Sequence, residues 1–207
     1  ITDTPPMQFN GRPTSRAFHS ATLLPNGQVL LAGGEYSYSA NGKPLMTTLA
    51  QAVLFDPTVN KGTGGWIATA MTIKRSRHTA TVVTPSDGLS RVLFIGGVDW
   101  NNADTPKMVE KGEWFEPVSN EFRTTDGVFK RVGHAALTTL SGQIVAVVGG
   151  HDGEKLYAEK NEVRFFQFQN DAFAPSESRL DLMPPRSGVA VAPLGSEGQF
   201  IVLGGFQ

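Results

Sequence analysis

The side chains with the most to offer chemically lie in two short stretches. Asp99-Trp100-Asn101-Asn102 sets an indole beside a carboxylate and two amides, and Tyr36 and Tyr38 place two phenols at a matching point earlier in the chain. A flat apolar ring flanked by paired hydrogen-bonding groups suits a sugar ring or a peptide. The plainer reading is a solvated loop whose tryptophan folds back onto the sheet beneath it. His151-Asp152 sets an imidazole beside a carboxylate, the beginnings of a metal or acid/base site. Without a third ligand nearby, the pair specifies neither.

Two residue types also recur at fixed spacing. Arginine stands at Arg16, Arg75, Arg131 and Arg186, and a histidine follows three places later at His19, His78 and His134, with Val189 in the fourth position. Four converging guanidiniums would favour carboxylates, because a planar fork of donors matches two oxygens at once. The alternative is that each arginine satisfies loop carbonyls or pairs with an acid of the next repeat. Three equivalent histidines suggest a zinc or copper set. Repeat-equivalent residues stand too far apart, however, for metal bonds of about 2 Å. A structural hydrogen bond is the expected role, and neither metal nor cofactor is assigned.

Other chemistries are excluded more simply. The chain has no cysteine, so disulfides, thiolate metal sites and cysteine nucleophiles are absent. No G-x-S-x-G elbow, P-loop or H-E-x-x-H helix occurs, and no catalytic residue is assigned. The net charge is −1, with cations scattered rather than striped, which argues against nucleic acid. The longest apolar runs, such as Ile144–Val148, fall far short of the ~20 residues of a membrane helix.

What must position these residues is a repeat. Residues 16–34 read as two short strands joined at Pro25-Asn26-Gly27 and closed by Gly33-Gly34. The plan returns with doublets at Gly96-Gly97, Gly149-Gly150 and Gly204-Gly205, and turns at Ser86-Asp87-Gly88, Ser141-Gly142 and Glu197-Gly198. Successive doublets are 63, 53 and 55 residues apart. A period of about 50 residues built from short strands marks a propeller blade array. The 23 glycines and 13 prolines suit tight turns, and no amphipathic helix is evident, so the chain is read as all-β. Each doublet carries an entropic cost, which points to a positive φ and the close approach of an adjacent blade. Residues 35–49 are read as a long loop, with further strands at 50–55 and 66–70.

The sequence R-x-x-H-x-A, the apolar run into Gly-Gly, the strand closing in Asp56-Pro57 and Trp66 before Met71 together resemble the kelch repeat, in its bacterial form. The resemblance covers nearly the whole chain and weakens at Glu116-Pro117 with Phe122, and at Gln169-Asn170 with Phe173. It implies a kelch-type propeller with blades near 16–74, 75–130, 131–185 and an incomplete 186–207, residues 1–15 supplying an outer strand of a preceding or closing blade. Two arrangements remain: part of a larger propeller completed by the same polypeptide or a second chain, or a small four-bladed ring. The function implied is a non-enzymatic scaffold binding a protein or glycan through its loop-bearing face, with Tyr36, Tyr38, Asp99, Trp100, Asn101, Asn102, His151, Asp152, Arg75, Arg131 and Arg186 as candidate contacts. Kelch-type carbohydrate enzymes of the mutarotase kind and a structural module of a larger surface protein are the alternatives. The copper radical oxidases of this superfamily need a tyrosine–cysteine cross-link that this chain cannot form. Membrane insertion is not expected, and the reading leans to a secreted, periplasmic or cell-surface bacterial setting.

Overall fold

The computed structural model describes residues 8–9, 12–13, 15–101, 105–139, 142–153, 162–182, 184–195 and 198–206. Residues 1–7 of the segment expected to supply an outer strand (1–15), the turn residues Ser141 and Glu197, and Asn102 lie outside them. A short pair, β1 (Gln8–Phe9) and β2 (Arg12–Pro13), precedes the first large sheet. That sheet takes β3 (Ser20–Leu23) and β4 (Val29–Ala32). The chain then leaves it as a hairpin, β5 (Glu35–Ala40) with β6 (Lys43–Thr48), and returns for β7 (Gln51–Asp56) and β8 (Gly65–Ala70). Residues 35–49 are therefore a paired ribbon rather than the expected loop. Asn41 and Gly42 both hold positive φ, 53° and 76°, which is the turn that closes a tight hairpin.

The second sheet repeats the path with β9 (Thr79–Val83), β10 (Arg91–Ile95), a small hairpin of β11 (Val98–Asp99) and β12 (Lys107–Met108), then β13 (Glu113–Glu116) and β14 (Glu121–Thr124). The third is β15 (Ala135–Thr139), β16 (Ile144–Val148), β17 (Glu162–Gln169) and β18 (Ala172–Asp181). β19 (Ser187–Leu194) and β20 (Gln199–Phe206) form a two-stranded fourth. Each large sheet is an antiparallel meander of four strands, the form of a propeller blade. The first strands of successive sheets touch in a row, β3 with β9, β9 with β15, and β15 with β19.

Strand alternation explains how the sheets stack. Side chains of one strand point to opposite faces in turn. In β10, Val92 and Phe94 pack with Leu30, Leu54 and Met71 of the first sheet, whereas Leu93 and Ile95 pack with Val145, Val147 and Phe166 of the third. A strand apolar on both faces belongs between two sheets. Each buried phenylalanine there contributes about 1.5–3 kcal/mol.

The doublets fix the spacing between sheets. Gly33, Gly96, Gly149 and Gly204 hold φ of 65–66°, and the following glycines 85–101°. The second glycine donates to the carbonyl of the next sheet's arginine: Gly34 to Arg75 at 2.9 Å, Gly97 to Arg131 and Gly150 to Arg186 at 2.8 Å. A Cβ on Gly33, Gly96 or Gly149 would collide with that same carbonyl oxygen. Positive φ and close approach of the neighbouring sheet are thus both required here.

Candidate functional site

The segment after each doublet lies against the segment before each first strand. Isolated bridges join Ala17 to Glu35, Ser76 to Val98 and Val132 to His151, so the hairpins and the Arg-x-x-His turns share one face. In those turns the residue two places after the arginine always has positive φ: Phe18 at 54°, Arg77 at 58°, Gly133 at 66° and Gly188 at 70°. Glycine adopts this region freely. An ordinary L-residue there carries strain of about 1–2 kcal/mol. Phe18 is nonetheless 57% exposed, and the Arg77 side chain 41% exposed.

These two residues form a stack. The Arg77 guanidinium carbon lies 4.4 Å from the Phe18 ring centre and 5.9 Å from that of Trp100. Glu35, only 1% exposed, anchors it: Arg77 Nη2 donates to Oε1 at 2.7 Å, and Ser76 Oγ and Trp100 Nε1 donate to Oε2 at 2.5 and 2.8 Å. Burial alone would raise the Glu35 pKa. The donors from Arg77, Ser76 and Trp100, with the Arg77 charge, outweigh it and hold the carboxyl below its ordinary range. The backbone N–H of Trp100 donates to Thr48 Oγ1 at 2.9 Å. Trp100 is therefore half-buried against the first sheet's hairpin, its indole N–H already engaged. Tyr36 and Tyr38 stay exposed on one face of β5, their ring centres 6.1 Å apart.

The arginines expected to converge as ligand contacts are otherwise occupied. Arg75 is 0% exposed and donates to Glu113 Oε1 at 3.0 Å, Gly96 O at 2.9 Å and Lys111 O at 2.8 Å. Arg131, 2% exposed, donates to Gly149 O at 3.1 Å and Glu162 Oε1 at 2.8 Å. Arg186 is half-buried and reaches Gly204 O at 3.3 Å. Each clamps the doublet of its own sheet, and the partner acids come from that sheet rather than from the next. Arg75, fully buried with its hydrogen bonds made inside the fold, is out of reach of a ligand at the surface.

The histidines join sheets. His78 Nε2 lies 3.0 Å from Ser20 Oγ, and His134 Nε2 lies 2.9 Å from Thr79 Oγ1. At the next junction Ala135 takes the hydroxyl's place and Val189 the imidazole's, so both halves of the bond change together. Burial holds His78 and His134 at a pKa of about 3, with repulsion from Arg75 and Arg131 respectively adding to it. Among the described residues no group of three or more histidines, cysteines, aspartates or glutamates could hold a metal ion.

The remaining candidates divide between two places. Asp99, Arg131 and Asp152 line an open groove of about 930 Å³ between the second and third sheets, with Lys74, Lys111 and Phe129. Trp100 belongs to the Glu35 cluster instead, and Tyr36 and Tyr38 form a separate exposed pair on β5. Asn101, exposed and at positive φ, donates its N–H to Asp99 Oδ1 at 3.1 Å. His151 Nδ1 accepts the Gly153 N–H at 3.2 Å, which fixes its ring. Sequence reasoning missed Phe18, Glu35 and Arg77. The signal lay in the third place of each Arg-x-x-His, where two copies carry glycine and two do not.

No protein-family model matches this chain, and no curated protein does either. Among solved structures, one titled "Structure of YjhT" is similar with a TM-score of 0.61 and 16% sequence identity, over 89% of this chain and 56% of that one. The chain thus corresponds to little more than half of that neighbour's length. The likeness shows the fold: an all-β chain of four-stranded antiparallel sheets arranged as propeller blades.

Proposed function

We propose that this is a kelch-type propeller region that binds a protein or glycan ligand through the face carrying Phe18, Arg77, Tyr36 and Tyr38. The observation that carries the reading is the pair Phe18 and Arg77. Both hold a backbone conformation that the third and fourth copies give to glycine, and both are exposed. Strain at exposed residues that form no part of the core points to use rather than to folding. The stack offers an aromatic face beside a cation, and the tyrosine pair on β5 adds two further rings. A sugar ring or an aromatic peptide side chain meets such rings with little loss of side-chain entropy.

Glu35 supports binding over catalysis. It is shielded, accepts three donors and has a lowered pKa, whereas a general base needs access and a pKa near the working pH. Its role in this reading is to hold Arg77 in place.

The test is a glycan array and a displayed peptide library, each probed with the labelled chain and with Arg77→Gln. Hits that fall about tenfold or more in the variant support the reading, since a charged or stacked contact is worth on the order of 1.4 kcal/mol or above. Hits retained equally by both proteins would place the ligand elsewhere.

A further inference from the structure

We infer that the groove between the second and third sheets binds a small-molecule carboxylic acid with an apolar body, its carboxylate held by Arg164. The site is separate from the Phe18 and Arg77 stack, and the inference stands whether or not that stack binds.

The chain carries its own pattern for such a contact. In the second sheet Glu113 pairs across from Phe94, two residues before Gly96. It is 0% exposed and both its oxygens are engaged. Arg75 Nε donates to Oε1 at 3.0 Å, and the Thr72 N–H and hydroxyl each donate to Oε2 at 2.8 Å. In the third sheet the same place, across from Val147 and two residues before Gly149, holds Arg164. A cation therefore stands where the preceding sheet has its acid. Val128 takes the place of Thr72, three residues before the arginine, and is 62% exposed.

One carboxylate is left to serve three guanidiniums. Glu162 Oε1 accepts from Arg131 at 2.8 Å, whereas Oε2 stands 4.0 Å from Arg164 Nη1 and 3.9 Å from Arg179 Nη1, beyond hydrogen-bond length. The buried Nε atoms of Arg131 and Arg164 have no hydrogen-bond partner. Burial lowers the Arg131 pKa; Glu162 and Asp152 oppose that shift, and the Arg164 charge adds to it. A carboxylate entering the groove would give Arg164 what Arg75 has in Glu113, and a planar guanidinium fork suits its two oxygens.

The walls specify the rest of the ligand. Ile73, Met108, Val109, Val128 and Phe129 line the groove with apolar surface. Arg131 takes one face of the Phe129 ring at 4.6 Å, and Phe166 packs edge-on against it, so this ring is a wall for an apolar chain rather than a platform for a sugar. Four acids line the groove beside six cations, which suits a single negative charge and disfavours a phosphate or a polyanion. The volume of about 930 Å³ lies within the range of small-molecule sites, about 300–1,000 Å³.

The experiment titrates octanoate, octanol, acetate and glucuronate separately into the isotope-labelled whole chain, following the Arg164 Nε–H resonance and the Met108 methyl by NMR. Octanoate should shift both and saturate. Octanol lacks the charge, acetate lacks the chain and glucuronate replaces the chain with hydroxyls, so each should bind about tenfold or more weakly. Arg164→Gln should weaken octanoate about tenfold, and Arg164→Lys, which keeps the charge without the fork, about threefold. Val128→Asp places a like charge on an exposed residue and should weaken octanoate about fivefold, which keeps the test open should Arg164→Gln fail to fold. No saturable shift, octanol or glucuronate binding as tightly as octanoate, or octanoate binding unmoved by the variants overturns the inference.

Discussion

Acid should loosen the joints between sheets well before it titrates the carboxylates. His134 is 8% exposed, sits between the second and third sheets, and has a pKa of about 3 against an ordinary 6.5. The folded state holds it neutral, whereas the unfolded chain takes up a proton below 6.5. Its contribution is therefore complete above pH 6.5 and is lost as pH falls from there toward 3. At pH 5 the unfolded state is favoured by about 1.5 pH units of protonation, or about 2 kcal/mol, from this one ring. His78 acts in the same direction. Such losses are a large share of a typical stability of about 5–15 kcal/mol. Urea unfolding followed by circular dichroism at pH 7.5 and pH 5 measures the change. The control copies the chain's own third junction, replacing Thr79→Ala and His134→Val together, as Ala135 and Val189 occur there. Exchanging both partners for apolar groups removes the proton site without stranding a donor. The double variant should lose about 2 kcal/mol less than the unaltered chain between the two pH values. An identical loss in both proteins would refute the assignment of His134 as a buried neutral joint.

Other expectations follow from the same geometry. Gly96→Ala must hold φ of 66° and would drive its Cβ into the Arg131 carbonyl, so a loss of about 3 kcal/mol in urea unfolding is expected. Gly88→Ala, at φ of 76° with open space around it, should lose about 1 kcal/mol. Arg75→Met strands the fully buried Glu113 carboxylate and should lose about 3–5 kcal/mol, whereas Arg123→Met breaks an exposed pair with Glu121 and a 5.4 Å stack on Trp114 and should lose about 1 kcal/mol. Glu35→Gln should weaken the anchor on Arg77 and Trp100, cost about 2 kcal/mol at neutral pH, and shift the Trp100 indole N–H resonance. Because the Glu35 pKa is lowered on folding, its contribution is present above the ordinary 4.5 and lost as pH falls through the folded value, so the variant's acid limb should be shallower there.

Much of the architecture was legible because it depends on backbone requirements that few residues meet. The glycine doublets announced a positive φ and a near neighbour, and both are present. Asn41-Gly42 carried a hairpin signal too, but the polar run around it concealed two strands that project from the sheet rather than join it. The recurring arginines were visible, yet recurrence does not reveal which way a side chain points. Arg75 and Arg131 turn inward because the doublet's carbonyl and an acid of the third strand lie there. The candidate site was hardest to see, since it depends on which side chains break the repeat: Phe18 and Arg77 stand out only when all four turns are compared.

Whether Phe18 serves the fold or a ligand is decided by the urea stability of Phe18→Gly. Relief of strain at φ of 54° is opposed by the added glycine entropy and by loss of the contact with Arg77, effects of about 0.5–2 kcal/mol that nearly cancel. The stability should stay within about 0.5 kcal/mol of the unaltered chain. A loss beyond about 2 kcal/mol would make Phe18 a structural residue and contradict the proposed role of this face.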